Sequence, residues 1–175
     1  MRLWLQHLNE LEAPICRSWS QPPRRDRVLR PFAFISRLGD GLFWYSLIIF
    51  LPLVDGWDGL HAGLHMLLTG GAALAVYKSL KGVTRRERPC RWVADVTPAV
   101  PPLDYYSFPS GHTLHAVSFT AVAMNYYPQL AWVLVPFTLL VATSRVVLGL
   151  HYPSDVLAAA AIGLALAYTS ILLVP

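Results

Sequence analysis

From Tyr105 to Ser144 the chain carries no Asp, Glu, Lys or Arg. A soluble helix needs a polar face, so such a run does not belong to a soluble domain. The run is also longer than one membrane crossing, which takes about 20 mostly apolar residues. The segment NYYPQ (125–129) interrupts it, so two helices are expected, near 111–126 and 130–148. Further apolar stretches lie at 41–54, 59–77 and 156–174. The last two are long enough to cross. The stretch 41–54 is short, and is extended through Phe34–Gly39 or tilted. Hydrocarbon does not tolerate open backbone groups, so every span must be helical. The expected fold is all-α, a polytopic membrane helix bundle of about five transmembrane helices plus an N-terminal amphipathic surface helix. Gly70-Gly71, the Ala158–Ala161 run, Gly163, Ala165 and Ala167 are small residues that allow close helix approach.

Charged residues are 14% of the chain, against about 25% in soluble domains, which excludes a disordered chain, a coiled coil and an ordinary soluble enzyme. The 175 residues leave little room for a second domain. A net charge of +4 in a soluble protein would suggest nucleic acid, but here the location of the charge is more informative. All 14 Lys and Arg fall in residues 2–37, in residues 78–91 and at Arg145, so no nucleic-acid partner is expected. Cys16 and Cys90 are too few for a disulfide framework or a cysteine zinc site, and a bridge between them is left open. Residues 1–31 lack the uninterrupted apolar run of a signal peptide. Leu3, Leu5, Leu8 and Leu11 recur at near-helical spacing. An amphipathic helix on the membrane surface is expected, followed by a basic loop with Arg24, Arg25, Arg27 and Arg30.

Three clusters carry candidate chemistry: Lys81 with Arg88-Pro89, then Pro109-Ser110-Gly111-His112, then Ser144-Arg145 with His151 and Asp155. Each alone reads equally well as a membrane-surface anchor, a turn or a snorkelling side chain. Alternating passes, however, bring all three to one face of the membrane, and ionisable residues converging at span ends mark a functional site. Three cations can hold a phosphate, and Arg does so through a planar fork. Ser110 and the amides of Gly111 and His112 open a helix, a natural place for an anion. Two histidines can divide nucleophilic and acid roles, and an Asp four residues after His151 can fix its tautomer.

These motifs, KxxxxxxRP, PSGH and SRxxxxxHxxxD, run in order over residues 81–155. The sequence resembles the type 2 phosphatidic acid phosphatase (PAP2) family. The resemblance implies a membrane lipid phosphatase working without metal or other cofactor, through a phosphohistidine. His151 would be the nucleophile, with Asp155 orienting it. His112 would serve as acid and then base. Lys81, Arg88, Ser110, Gly111 and Arg145 would bind phosphate. Expected substrates are phosphatidic acid, phosphatidylglycerol phosphate or undecaprenyl diphosphate. The expected organisation is an N-terminal segment, 1–31, and a transmembrane phosphatase domain, 32–175. A lipid-linked phosphotransferase shares every motif residue, and a catalytically silent scaffold is the other alternative. The oligomeric state is left open. Six spans are common in such enzymes, against five here.

Five spans place the N-terminal arginines on the face of the motifs. The positive-inside rule then puts that face in the cytoplasm of a bacterial-type inner membrane. Other residues admit plainer readings. His61 and His65 are spaced as metal ligands can be, but packing or interfacial hydrogen bonding is the simpler role. His115 follows His112 by one turn and either supports it or packs. Arg85, Arg86 and Arg91 either touch headgroup phosphates or are solvated. Trp44, Tyr45, Trp57, Tyr105, Tyr106, Tyr126, Tyr127 and Trp132 are expected to form an interfacial belt.

Overall fold

The computed structural model describes residues 2–20 and 25–174. Helix α1 spans Arg2–Ser20 and α2 spans Arg25–Arg37. A π-helical turn, Leu38–Leu42, leads into α3, Phe43–Thr84. A short α4, Pro89–Trp92, follows, and then an irregular connection reaches α5, Gly111–Tyr126. Helices α6, Ala131–Val147, and α7, Pro153–Leu173, complete the bundle. Among the described residues there is no strand, only an isolated antiparallel bridge between Glu87 and Tyr106.

Helix α3 is two antiparallel arms. Its helical path is broken at Asp55 and at Gly56, whose φ of 54° suits a residue without a Cβ. Beyond the break the chain folds back so tightly that a Cβ on Gly59 would lie 2.1 Å from the Leu51 carbonyl oxygen. The arms 43–54 and 57–84 therefore correspond to the first two expected stretches. Among the described residues, three segments are long and apolar enough to cross a membrane: Asp26–Thr84, which contains this fold-back, Pro128–Val147 and Pro153–Leu173. Helix α5 is shorter and packs against α3, α6 and α7. Its buried residues include Leu114, Phe119 and Val122, and it has no continuous polar face. Small residues set these crossings. A Cβ on Gly163 would come within 2.9 Å of the Leu114 carbonyl, so α7 contacts the α5 backbone directly. Hydroxyl pairs such as Thr120–Thr138, at 2.6 Å, satisfy the polar groups between helices.

Several expectations need correction. The basic segment after α1 is helical from Arg25 onward, not a loop, and Arg24 lies outside the described residues. Trp44 is no belt residue: it is buried in the core beside Phe43, Phe119 and Phe137. Trp57 and Trp132 are exposed, as a belt requires. The inner face of α1 is Leu5, Asn9, Ala13, Cys16 and Ser20, so Leu5 of the leucine series is buried whereas Leu11 is exposed. Trp4, Leu11, Ile15 and Trp19 instead form an outward apolar stripe along the same helix. Cys16 and Cys90 are both free thiols. Burial, with the nearby Glu12 and Asp155 charges, pushes the Cys16 thiol up to about 12.

Candidate active site

The site is assembled at one end of the bundle, where four chain segments finish or begin. Lys81 lies in the last turn of α3, and Arg88 precedes α4. Gly111 and His112 open α5, and Arg145 lies in the last turn of α6. The tight connection from α6 to α7 carries His151. Gly149 there takes a φ of 71°, and the His151 amide donates to the Arg145 carbonyl at 3.1 Å. Lys81, Arg88, Gly111, His112, Arg145 and His151 all line one cavity of about 620 Å3. Its wall also includes Tyr45 and Leu74, one on each arm of α3 and both exposed on the bundle surface.

Two predicted residues do not line that cavity. Ser110 is buried, and its hydroxyl faces Thr113 at 3.0 Å. Asp155 is buried behind His151, with its Oδ2 3.6 Å from His151 Nδ1. That distance is slightly long for a hydrogen bond, and contacts of this kind tighten when substrate binds. On the other side of the ring, His151 Nε2 lies 3.0 Å from Arg88 Nη1. An arginine can only donate, so Nε2 is the acceptor, and the network assigns the proton to Nδ1 on the Asp155 side. Burial disfavours the imidazolium, and Arg88, Arg145, Lys81 and His112 add to this, so the His151 pKa is held well below the ordinary value. His151 is therefore neutral at neutral pH, with the Nε2 lone pair accepting from Arg88 Nη1 at the cavity wall.

The cations are as buried as the histidine. Arg88 is 1% exposed, Arg145 3% and Lys81 7%, and buried charge requires compensation. Lys81 and Arg88 both contact the Asp104 carboxylate. Arg145 Nη1 donates to the Ser36 hydroxyl, while its Nε has no hydrogen-bond partner among the described residues. A buried guanidinium at a cavity wall is suited to an anion.

Sequence reasoning missed four of the groups that organise this site. Asp40, in the π-helical turn, pairs with His112 Nε2. Ser107 donates to Asp155 Oδ2 at 2.7 Å. Asp104 bridges two of the cations. Arg86 is neither solvated nor free for a headgroup. It is buried, donates to Asp155 Oδ1 at 2.7 Å and to Glu12 Oε2 at 2.8 Å, and stacks 4.0 Å from the Tyr152 ring centre. One signal was present in the sequence: Asp40 and Asp104 are isolated acids bordering long uncharged stretches. Arg85 and Arg91 are both exposed, and Arg91 stacks over Tyr105 at 3.7 Å. His115 sits with its ring nitrogens next to the Gly111 and Gly70 carbonyls. At the far end His65 bonds Tyr126 and Ser170, a packing role, and no metal-binding cluster occurs among the described residues.

The PAP2 superfamily model matches residues 58–175, which contain all three motifs. The chain belongs to that superfamily. Among PAP2 relatives, phosphatidylglycerophosphatase B of Bacillus subtilis is 32% identical over 74% of this chain and 60% of that protein. The undecaprenyl-diphosphatase of Sulfolobus acidocaldarius is 26% identical over 79% of this chain and 66% of its own length. The chain thus spans less than two thirds of the length of either. The crystal structure of the first transmembrane PAP2 type phosphatidylglycerolphosphate phosphatase from Bacillus subtilis superposes with a TM-score of 0.71 at 27% identity. It covers 95% of this chain and 84% of that one. Aquifex aeolicus LpxE gives a TM-score of 0.75 at 25% identity, covering 92% and 94% respectively. The protein is an integral membrane member of this superfamily, and its fold is that of the transmembrane PAP2 phosphatases.

Proposed function

We propose that this protein hydrolyses the terminal phosphate of a membrane lipid through a phosphohistidine on His151. The observation that carries this reading is that three buried cations and the neutral His151 line one cavity, with Arg88 Nη1 3.0 Å from His151 Nε2. Phosphoryl transfer asks mainly for positioning and charge stabilisation, and buried cations with helix-start amides can supply both. Lys81, Arg88 and Arg145 hold the phosphate oxygens, with the amides of Gly111 and His112 beside them. His151 Nε2 attacks phosphorus as the bond to the lipid oxygen breaks, and His112 protonates the departing oxygen. Asp155 stabilises the imidazolium formed on His151. His112 then takes a proton from water, whose oxygen displaces Nε2 and releases inorganic phosphate. Asp40 holds the His112 ring for both proton transfers. Ser110 acts through α5, by fixing its first turn.

The relatives' names point to phosphatidylglycerol phosphate and undecaprenyl diphosphate as substrates to test, with phosphatidic acid beside them. Phosphate release by the detergent-purified protein from at least one of these is expected to be unchanged by EDTA. Loss of release in EDTA would overturn the metal-free mechanism, and no release from any of the three would overturn the hydrolase reading. The site faces the cytoplasm of a bacterial-type inner membrane in this proposal, because the Arg-bearing helices α1 and α2 pack at the site end of the bundle, where Glu12 pairs with Arg86 and Ser36 accepts from Arg145. A reporter fused beyond residue 174 then reads as extracytoplasmic, and a cytoplasmic signal reverses the orientation.

A further inference from the structure

Asp104 occupies the donors that a phosphate would need. Its carboxylate accepts from Lys81 Nζ at 2.7 Å through Oδ1 and at 2.6 Å through Oδ2. Oδ1 also accepts from Arg88 Nη2 at 2.7 Å, and the Asp104 carbonyl accepts from Arg88 Nε at 3.0 Å. The remaining terminal nitrogen of the same guanidinium, Nη1, faces His151 Nε2 at 3.0 Å. Asp104 and the proposed nucleophile therefore flank one arginine. A tetrahedral phosphate gripped by Lys81 and Arg88, with phosphorus next to Nε2, calls on the N–H groups that the Asp104 carboxylate already holds.

The surroundings allow this carboxylate to leave. Its side chain is 39% exposed, while its partners Lys81 and Arg88 are buried. It lies in the irregular connection between α4 and α5. The bridge of Glu87 to Tyr106 and the bond of Ser107 N to the Arg86 carbonyl anchor the chain just after it. Burial opposes ionisation of Asp104, but Lys81 and Arg88 outweigh it and hold the carboxyl below its ordinary pKa, so it is an anion at neutral pH.

We propose that Asp104 is an internal competitor for the phosphate site, yielding Lys81 and Arg88 to the incoming phosphate and reclaiming them to release inorganic phosphate. The proposal rests on the reading of those two cations as phosphate ligands. It makes Asp104 a determinant of how tightly the site holds free phosphate. The alternative is a carboxylate that stays in place and positions the two cations.

The two roles predict opposite signs. Apparent affinity is reduced by the fraction of time a site is available, so freeing a cradle that is open about one tenth of the time tightens binding roughly tenfold. Asp104→Asn is therefore expected to lower the inhibition constants of inorganic phosphate and orthovanadate about tenfold. KM should fall with them, and kcat should fall as release slows. Unchanged or weaker inhibition in an active Asp104→Asn protein would overturn the proposal. Lys81→Met tests the underlying reading separately, since phosphate inhibition that ignores this change means that Lys81 is not a phosphate ligand at all. Hydrogen exchange on the wild-type protein needs no variant. Saturating orthovanadate should speed amide exchange over 103–106, and unchanged or slower exchange there counts against a departing Asp104.

Discussion

Replacing His151 with Gln is expected to reduce phosphate release on the order of 10^3-fold or more while leaving the bundle folded. The loss is large because a glutamine cannot form the covalent intermediate, and electrostatic stabilisation alone remains. The fold survives because little rests on the imidazole. Nδ1 has no hydrogen-bond partner among the described residues, and Arg88 Nη1 also donates to the Leu150 carbonyl at 2.8 Å. Release at near wild-type rates from a monodisperse His151→Gln protein would remove His151 from the chemistry. The pH profile provides a second readout. Because burial and the surrounding cations depress the His151 pKa, the ring stays neutral below the ordinary imidazole value of about 6.5. The acid limb of kcat/KM should thus lie below that value, not at it.

Arg86→Met is expected to give the largest loss of stability. The guanidinium is the single cation between two carboxylates, Asp155 and Glu12, and also donates to Ser154 Oγ at 2.7 Å and Asn9 Oδ1 at 2.9 Å. Asp155 is fully buried, so removing its partner leaves a stranded charge, at a cost of about 3–5 kcal/mol. In a chain of this size that lowers the melting temperature by on the order of 10 °C. Activity should fall as well, since Asp155 loses one of the bonds that aim it at His151. Arg86→Lys keeps the charge but not the fork, and should be intermediate in both measures. A Met variant that melts and turns over like wild type would mean that the Glu12–Arg86–Asp155 chain holds nothing together.

Much of this was legible in the residues themselves. Hydropathy placed α5 and α7 to within a few residues, because a membrane span has one dominant requirement. The three motifs named Lys81, Arg88, His112, Arg145 and His151, which the fold brings to one cavity. What escaped was pairing. Arg86 and Arg85 are neighbours in the same basic run, yet one is buried in an ionic network and the other is exposed. Only the placement of α1 over the α7 start, through Glu12 and Ser154, separates them. The same holds for Trp44, whose burial depends on how the short arm of α3 packs on α5 and α6. Asp40 and Asp104 were visible as isolated acids, but their partners lie 72 and at least 16 residues away.

The exposed Tyr45 and Leu74 in the cavity wall bear on how such a site meets its substrate. Drawing a sixteen-carbon chain out of a bilayer costs on the order of 12 kcal/mol, at about 0.8 kcal/mol per methylene. In the proposed function, an opening flanked by these exposed side chains would let the headgroup reach His151 while the tail stays in hydrocarbon. Encounter then becomes a two-dimensional search. Its rate follows the mole fraction of substrate among the surrounding lipids, so diluting the membrane with inert lipid slows the reaction, whereas diluting the suspension with water does not.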